Sequence, residues 1–300
     1  MTIRSLKHVA IVGGGAISEE YCKILVALEV NFTVIARSKK IENVRCEVAD
    51  IRDIDLQSLR AFDGFVICVQ AEFNLEILTY LLRSTEAPIF IEKPLSLGFT
   101  DHIPIQKFFH RIFIALNRRK FGSVVAAKNL IANKHPIKVL VEITELAERI
   151  KGSRIERAAW PLMNTIHVID LALFLSDAYR LSSDIVTSSR DTGLVKYILK
   201  EHKTLLEIAF VDFGDAVGNW GIEVSSNTEK LILRPLEKLA VQRRGEFARR
   251  EISVPEDAFK PGFQSNIEDF LALKRSSFIS YEEYCFLMRT IDEIVNDKGQ

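Results

Sequence analysis

The feature that most constrains this fold is a run of three glycines, Gly13-Gly14-Gly15, between a short β-branched stretch and an amphipathic one. Gly13, Gly15 and Ser18 fill the pattern G-x-G-x-x-(G/A/S), in which glycines let the backbone approach a pyrophosphate closely. The helix that follows such a turn offers N–H groups without helical partners and a positive dipole end. Glycine-rich turns also arise simply as tight connections, so the surrounding pattern decides between the two interpretations.

From His8 to about Ile114 the pattern alternates short apolar runs with amphipathic stretches, which is typical of βαβ units and a parallel sheet. The predicted strands are Val9–Val12, Phe32–Ala36, Val44–Val48, Gly64–Val69, Pro88–Ile91 and Ile112–Leu116. Helices are predicted at Ser18–Glu29, Leu56–Ala61 and Phe73–Arg83. The glycine turn therefore follows the first strand of a Rossmann-type doubly wound sheet. This context favours a dinucleotide site, and we expect Gly13, Gly15, Ala16 and Ile17 to contribute to it.

Beyond Asn117 strand-like runs follow one another with few helices between them, which indicates a mostly antiparallel sheet flanked by helices. The predicted strands are Val139–Thr144, Lys196–Leu199, Leu205–Val211, Trp220–Ser225, Lys230–Leu233 and Leu239–Arg243. The predicted helices are Glu145–Ile150, Met163–Ser176, Gln264–Lys274 and Tyr281–Asn296. We therefore expect an α/β dinucleotide-binding domain over residues 1–118. An α+β domain over 119–300 would bind substrate and form oligomers, and its C-terminal helix would pack back on the first domain.

The end of the second predicted strand indicates which dinucleotide binds. NAD enzymes usually place a carboxylate there for the ribose 2′-hydroxyl, whereas arginine suits the 2′-phosphate of NADP. Arg37 and Ser38 occupy this place, and the next carboxylate in the chain is Glu42. The sequence therefore predicts NADP(H) in preference to NAD(H), the alternative being that the basic run is a solvated loop.

Composition excludes several other classes of function. Forty Lys and Arg residues balance forty Asp and Glu residues, so no net field attracts nucleic acid or an anionic membrane. The first eight residues lack the features of a signal peptide, and no apolar stretch approaches the length of a membrane span. The four cysteines are scattered, with no spacing typical of a metal site. We expect a cytoplasmic protein with reduced thiols, no bound metal and a small-molecule partner.

Four segments carry a resemblance to a known family. They are Glu92-Lys93-Pro94, Asn117-Arg118-Arg119, the stretch Asn164-Thr165-Ile166-His167-Val168-Ile169-Asp170 and Trp220-Gly221-Ile222-Glu223-Val224. In this order and spacing they resemble the Gfo/Idh/MocA oxidoreductases, named in part for glucose-fructose oxidoreductase and inositol dehydrogenase. The resemblance spans nearly the whole chain and implies the same two-domain fold.

The resemblance also implies roles for individual residues. Lys93 would reach the nicotinamide ribose and the substrate hydroxyl, and His167 would be the acid/base. The chemistry is reasonable, because histidine side chains titrate near neutral pH and a lysine cation stabilises a developing alkoxide. Asn117 and Arg118, with Asn164 and His167, would contact substrate. Further cofactor contacts are expected from Cys68, Val69, Gln70, Asn74, Glu92 and Lys93. Relatives generally associate through the second domain's sheet, so residues 196–243 would form a homodimer or homotetramer interface.

The chain also departs from this family pattern. Met163 stands where most members carry an aspartate four residues before the histidine, and the neighbouring Asn164 can hydrogen bond but cannot accept a full proton. The loop Cys68–Asn74 keeps its position and loses the usual proline and histidine. The leading hypothesis is hydride transfer to or from a sugar or nucleotide-sugar carbon. The alternative is a cofactor-binding sensor or regulatory protein of the same fold.

Overall fold

The computed structural model describes residues 6–37, 41–132, 134, 136, 138–144, 160–179, 185–191, 194–199, 204–211, 220–255 and 257–296. The chain forms two compact units. The first contains Met1–Leu116 and Asp257–Tyr284, and the second contains Asn117–Glu256 and Cys285–Gln300. No helix in the described ranges is both long and apolar enough to span a membrane.

Six parallel strands form the sheet of the first unit, and each overlaps a predicted segment. They are β1 (His8–Val12), β2 (Asn31–Ile35), β3 (Cys46–Glu47), β4 (Gly64–Ile67), β5 (Ile89–Glu92) and β6 (Ile112–Ala115). Their order is β3-β2-β1-β4-β5-β6, which is the order of a Rossmann fold. β4 and β6 are buried at every residue, as expected of a parallel sheet covered on both faces.

Eight strands form the sheet of the second unit. They are β7 (Lys138–Thr144), β8 (Ile185–Asp191), β9 (Leu194–Leu199), β10 (Thr204–Val211), β11 (Gly221–Ser225), β12 (Glu229–Leu233), β13 (Leu239–Arg243) and β14 (Arg250–Ile252). Their order is β14-β13-β12-β11-β7-β10-β9-β8, and only the β7–β10 pair among these described strands is parallel. The predicted mostly antiparallel sheet is therefore confirmed. β8 and β14 were not predicted.

The α-helices are, in chain order, α1 (Ala16–Ala27), α2 (Leu56–Arg60), α3 (Ala71–Ser84), α4 (Gly122–Ile131), α5 (Trp160–Met163), α6 (Ile166–Leu175), α7 (Phe263–Leu271) and α8 (Tyr281–Asn296). Short 3-10 helices occupy Ile51–Asp53, Ile103–Arg111, Asn117–Lys120 and Arg275–Ser277. α4 was not predicted, and the predicted helix at 145–150 lies outside the described residues. The predicted helix Met163–Ser176 is divided into α5 and α6.

The core of the first unit explains why residues 257–284 belong to it. Apolar side chains of α1, such as Ile24 and Leu25, meet Phe263, Ile267 and Phe270 of α7 over strands β1, β4 and β5. These side chains are almost fully buried. Burial of apolar area at roughly 25 cal/mol per Å² stabilises this arrangement. The sequence-based division had assigned α7 to the second domain.

Candidate functional site

The glycine turn lies at the switch point of the first sheet. β1 pairs with β2 on one side and β4 on the other, because the chain proceeds from β1 through β2 to β3 and then crosses back to β4. Gly13 has a φ of +120°, and its N–H donates to the Ile35 carbonyl oxygen at 2.9 Å. A Cβ atom at Gly13 would lie 2.8 Å from the Cys68 carbonyl carbon. Both backbone conformation and lack of space therefore require glycine at this position.

The start of α1 is open where a ligand would bind. A Cβ at Gly15, the N-cap of α1, would have no atom of its surroundings within 4 Å. Gly15 and Ala16 are exposed, and Ile17 is half-buried. Because no side chain caps this helix, its first-turn N–H groups point into that space. The turn therefore fits the pyrophosphate of a dinucleotide, with Gly15 leaving room for it and the helix end supplying donors.

The end of β2 carries the charges that would face the adenosine ribose. Arg37 is exposed, and its guanidinium carbon lies 4.9 Å from the centre of the Phe73 ring. Asp50, after β3, was not foreseen as a neighbour. It accepts from the Arg52 side chain at 2.6 and 2.8 Å. Hydrogen bonds from Arg52, with a smaller contribution from the charge of Arg37, lower the pKa of Asp50 to about 2. Ser38 lies outside the described residues.

The loop after β4 forms the other wall of the switch point. The Cys68 N–H donates to the Val12 carbonyl oxygen at 2.8 Å, which extends the β1–β4 pairing to the glycine turn. Cys68 is buried, Val69 is half-buried, and Gln70 is exposed as the N-cap of α3. Burial raises the pKa of the Cys68 thiol well above its usual range, so the thiol stays protonated. The contribution of this loop to ligand binding would therefore come from its backbone and from Gln70.

Lys93 follows β5 in a turn whose backbone is held on both sides. The Asn74 Nδ2 group donates to the Glu92 carbonyl oxygen at 3.1 Å and to the Pro94 carbonyl oxygen at 2.6 Å. The Lys93–Pro94 peptide bond is cis, and Lys93 itself is half-buried. This turn lies at the carboxyl end of β5, the edge of an open α/β sheet where ligands bind.

The Glu92 side chain is bound within the same unit. The Tyr21 hydroxyl donates to Glu92 Oε1 at 2.6 Å, and Tyr21 stacks on Phe263 with ring centres 5.1 Å apart. Burial raises the pKa of the Glu92 carboxyl, while the Tyr21 hydrogen bond and the charges of Lys93 and Lys260 oppose the rise. Sequence analysis did not foresee Tyr21 and Lys260 at this edge, because each is distant from Glu92 along the chain.

In the second unit, α6 carries the candidate acid/base and is buried on all sides. Its residues 166–173 are all buried, and polar His167 is only 4% exposed. Asn164 is half-buried in the turn between α5 and α6, where its carbonyl oxygen accepts from the His167 N–H at 3.2 Å. Met163 ends α5 and is also half-buried.

A buried ion pair anchors α6 to the 3-10 helix Asn117–Lys120. Arg119 donates to the Asp170 carboxylate through Nε at 2.9 Å and Nη2 at 2.6 Å. The Tyr179 hydroxyl donates to the same carboxylate at 2.6 Å. The Arg119 and Asp170 side chains are 8% and 1% exposed. Arg119 therefore holds α6 in place through its ion pair with Asp170.

The two residues before Arg119 were expected to contact substrate. Asn117 is buried, and the guanidinium carbon of Arg118 lies 4.3 Å from the centre of the Trp220 ring.

An open cleft of about 520 Å³ in the first unit is a separate feature. Its lining includes Phe109 and His110, which precede β6, and Arg275 and Tyr281. It therefore lies at the amino-terminal edge of β6. Because ligands of open α/β sheets bind at the carboxyl edge, this cleft is not the candidate site.

Comparisons with known proteins give a result only for solved structures. The sequence matches no protein-family model and no curated protein. A Gfo/Idh/MocA family oxidoreductase from Vibrio cholerae superposes with a TM-score of 0.71 at 17% identity, covering 97% of each chain. UDP-N-acetylglucosamine 3-dehydrogenase GnnA from Acidithiobacillus ferrooxidans gives 0.71 at 14% identity, covering 97% of each. Levoglucosan dehydrogenase in complex with NADH and L-sorbose gives 0.74 at 14%, covering 96% of each.

These likenesses extend over both units of the chain. The chain therefore has the fold of the Gfo/Idh/MocA-type oxidoreductases, a Rossmann sheet followed by a mostly antiparallel sheet with helices. The resemblance expected from the sequence motifs is confirmed at the level of the fold.

Proposed function

We propose that this chain is a nicotinamide-dependent oxidoreductase that transfers a hydride to or from a CH–OH carbon of a sugar or nucleotide sugar. The observation that carries the proposal is the glycine turn at the switch point of the first sheet, where Gly15 leaves open space beside the uncapped start of α1. Structures of the same fold include a dehydrogenase in complex with NADH and a sugar, and one named for a nucleotide-sugar substrate. Both support this class of chemistry.

Two side chains of the chain would handle the substrate oxygen. Nicotinamide, when bound, supplies the hydride acceptor or donor. In the oxidation direction the carbinol carbon loses hydride while its hydroxyl loses a proton, and His167 accepts that proton. Lys93 donates a hydrogen bond to the substrate oxygen and stabilises its developing negative charge. Asn117, Arg118 and Asn164 would orient the substrate. The reverse direction uses the same groups, with His167 returning the proton.

We propose NADP(H) as the preferred cofactor. Arg37 is exposed at the end of β2 and its guanidinium lies over Phe73, so it is well placed to hold a 2′-phosphate. The nearby carboxylate is that of Asp50, because the charge of Arg37 contributes to its lowered pKa. This carboxylate already accepts a hydrogen bond from the Arg52 side chain. Replacing Arg37 by Ala should raise the Kd for NADPH about tenfold, which corresponds to ~1.4 kcal/mol, and leave the Kd for NADH nearly unchanged. Equal affinities for both cofactors in the unmodified protein would contradict the preference.

Binding of the cofactor can be tested apart from turnover. Gly15→Ala should fold like the unmodified protein, because its Cβ meets nothing, yet bind NADPH at least about tenfold more weakly by fluorescence titration. Gly122→Ala is the matched control, since its Cβ would make only ordinary contacts of 3.4 Å or more. An unchanged Kd in Gly15→Ala would overturn the assignment of this turn.

Turnover requires a panel of sugars and nucleotide sugars. Lys93→Ala and His167→Ala should each reduce kcat by about 10²-fold or more, as expected for positioned acid/base groups. Activity that survives both replacements contradicts the mechanism. Met163, in the place of the usual family aspartate, supports the alternative of a cofactor-binding sensor. Cofactor binding without turnover on any substrate of the panel would favour that alternative.

We further propose that the protein is a cytoplasmic homodimer or homotetramer that associates through strand-rich residues 196–243. Light scattering coupled to size exclusion tests the assembly. A monomer at micromolar concentration would contradict it, and charge replacements at the half-buried or exposed positions of β12 and β13 would locate the interface.

A further inference from the structure

Asn74 was expected to contact the cofactor, and its surroundings indicate a different task. It lies in the first turn of α3, only 1% exposed, and both of its described side-chain hydrogen bonds go to backbone carbonyls in the turn after β5. The accepting oxygens belong to Glu92 and Pro94, the two neighbours of Lys93. One amide group thus holds the backbone on either side of the candidate catalytic lysine.

The orientation of this amide is dictated by its partners. Two carbonyl oxygens can only accept, so the NH₂ end of Asn74 must face them. That orientation leaves Asn74 Oδ1 buried without a hydrogen-bond partner among the described residues. A buried acceptor without a donor is unfavourable for stability. The chain therefore keeps an amide here at a cost to its own fold, which is typical of a position with a functional requirement.

Glu92 has a second anchor, so hydrogen bonds hold both its side chain and its backbone. The Tyr21 hydroxyl donates to its carboxylate at 2.6 Å, while Asn74 binds its carbonyl oxygen. The backbone of Lys93 thus lies between two carbonyl groups, those of Glu92 and Pro94, that are each held by a hydrogen bond from Asn74. A long flexible lysine side chain needs such support, because a misplacement of about 1 Å at a reacting group can reduce the rate 10²-fold.

The geometry points to Asn74 as a positioning residue that acts through Lys93, an inference that rests on the proposed role of Lys93 in the oxidoreductase. It holds Lys93 in the orientation for turnover and does not bind the cofactor itself. Asn74→Asp removes both donors and sets a carboxylate against two carbonyl oxygens in nearly the same volume. It should reduce kcat about 10²-fold, whereas the Kd for NADPH should stay within about twofold. Asn129→Asp, at an exposed position of α4, is the matched control and should change neither value.

Asn74→His keeps one ring N–H donor and should lose less kcat than Asn74→Asp. It also keeps the test decisive if circular dichroism shows that Asn74→Asp does not fold. A rise in the NADPH Kd with unchanged kcat at saturation would overturn the inference in favour of direct cofactor contact. Unchanged kcat and Kd in both variants would overturn it as well.

A readout without turnover separates this inference from the proposed function. Lysines carrying ¹³C-methyl groups give NMR signals, and the Lys93 signal is identified by its absence in Lys93→Arg. In Asn74→Asp the Lys93 signal should shift and its titration midpoint should move, while the signals of exposed lysines such as Lys23 stay in place. If the unmodified protein shows no turnover but these shifts occur, the oxidoreductase proposal fails and the positioning of Lys93 stands. If the Lys93 signal does not change, the positioning role is refuted.

Discussion

Replacing Arg119 by Met tests the ion pair that anchors the helix of His167. In the folded chain the Asp170 carboxylate accepts two hydrogen bonds from Arg119 and one from Tyr179. The replacement removes both donors of Arg119 and leaves an Asp170 carboxylate that is 1% exposed and still accepts from the Tyr179 hydroxyl. Removing one member of a buried ion pair typically destabilises by about 3–5 kcal/mol. We expect the free energy of unfolding to fall by about that amount.

Two further variants locate the cause of this loss. Asp170→Asn combined with Arg119→Met removes the buried charge and retains an acceptor for Tyr179, so the double variant should be more stable than Arg119→Met alone. Lys134→Met breaks the pair between Lys134 and Glu229, in which the lysine is 38% exposed. Exposed pairs contribute about 0–1 kcal/mol, so this control should lose little.

Urea denaturation monitored by circular dichroism measures the free energy of unfolding of the unmodified protein and the three variants. Because the chain has two compact units, coincident transitions by circular dichroism and by tryptophan fluorescence should be established first. A loss in Arg119→Met no larger than in Lys134→Met would refute the reasoning. So would a double variant less stable than Arg119→Met, because the loss would then not come from an uncompensated Asp170 charge.

Three other replacements follow from individual contacts. Gly13→Ala should destabilise by about 3 kcal/mol, since a Cβ there combines a φ of +120° with a collision at the Cys68 carbonyl, and an unchanged melting temperature would contradict this. Asp50→Asn should be less stable than the unmodified protein at neutral pH. Because Asp50 has a lowered pKa of about 2, its contribution is complete above its unfolded value and is lost as pH falls through about 2. The difference in melting temperature should therefore vanish in acid, and a constant difference would contradict it. Arg111→Met should leave carbonyls of Leu82 and Thr85 without their donors, at about 1–3 kcal/mol each, and hydrogen exchange should accelerate in the last turn of α3 if this is correct.

The first sheet could be predicted because its strands are buried on both faces. Such strands appear as short continuous runs of β-branched and aromatic residues, and the run Pro88–Ile91 predicts β5 at Ile89–Glu92 to within one residue. The order of the strands adds the switch point, and the glycine turn lies there, after β1. This is why the sequence alone predicted the fold class and the position of the glycine turn after the first strand.

Elements with weaker periodicity could not be predicted. α4 begins at Gly122, a poor helix former, and alternates buried Val124 and Ala127 with exposed Val125, so no polar face stands out. β8 reads Ile-Val-Thr-Ser-Ser-Arg-Asp over Ile185–Asp191, and its polar half resembles a loop. Contacts with residues that are distant along the chain determine both elements, and local sequence patterns do not reveal such contacts.

The same reason explains what sequence analysis missed at the site. Asn74 donates to Glu92 and Pro94, which lie 18 and 20 residues away along the chain. Arg119 donates to Asp170, which lies 51 residues away. Local patterns carry no information on such pairs, so the hydrogen bonds of Asn74 to the turn after β5 and of Arg119 to Asp170 were not predicted. Buried acceptors need hydrogen-bond donors, so the roles of Asn74 and Arg119 become visible only when the structure shows which acceptors lie next to them.

The segment before His167 shows how a small structural difference changes a mechanistic question. The sequence predicts one helix from Met163 onward, in which Met163 and His167 would be neighbours on one face. In the folded chain α5 ends at Met163 and α6 begins at Ile166, so a turn at Asn164 and Thr165 separates the two. The Asn164 carbonyl oxygen accepts from the backbone N–H of His167, and Asn164 itself lies outside both helices. For the proposed mechanism, the residue to compare with the expected aspartate is therefore Asn164, and a carboxylate introduced at Met163 would enter at the end of α5.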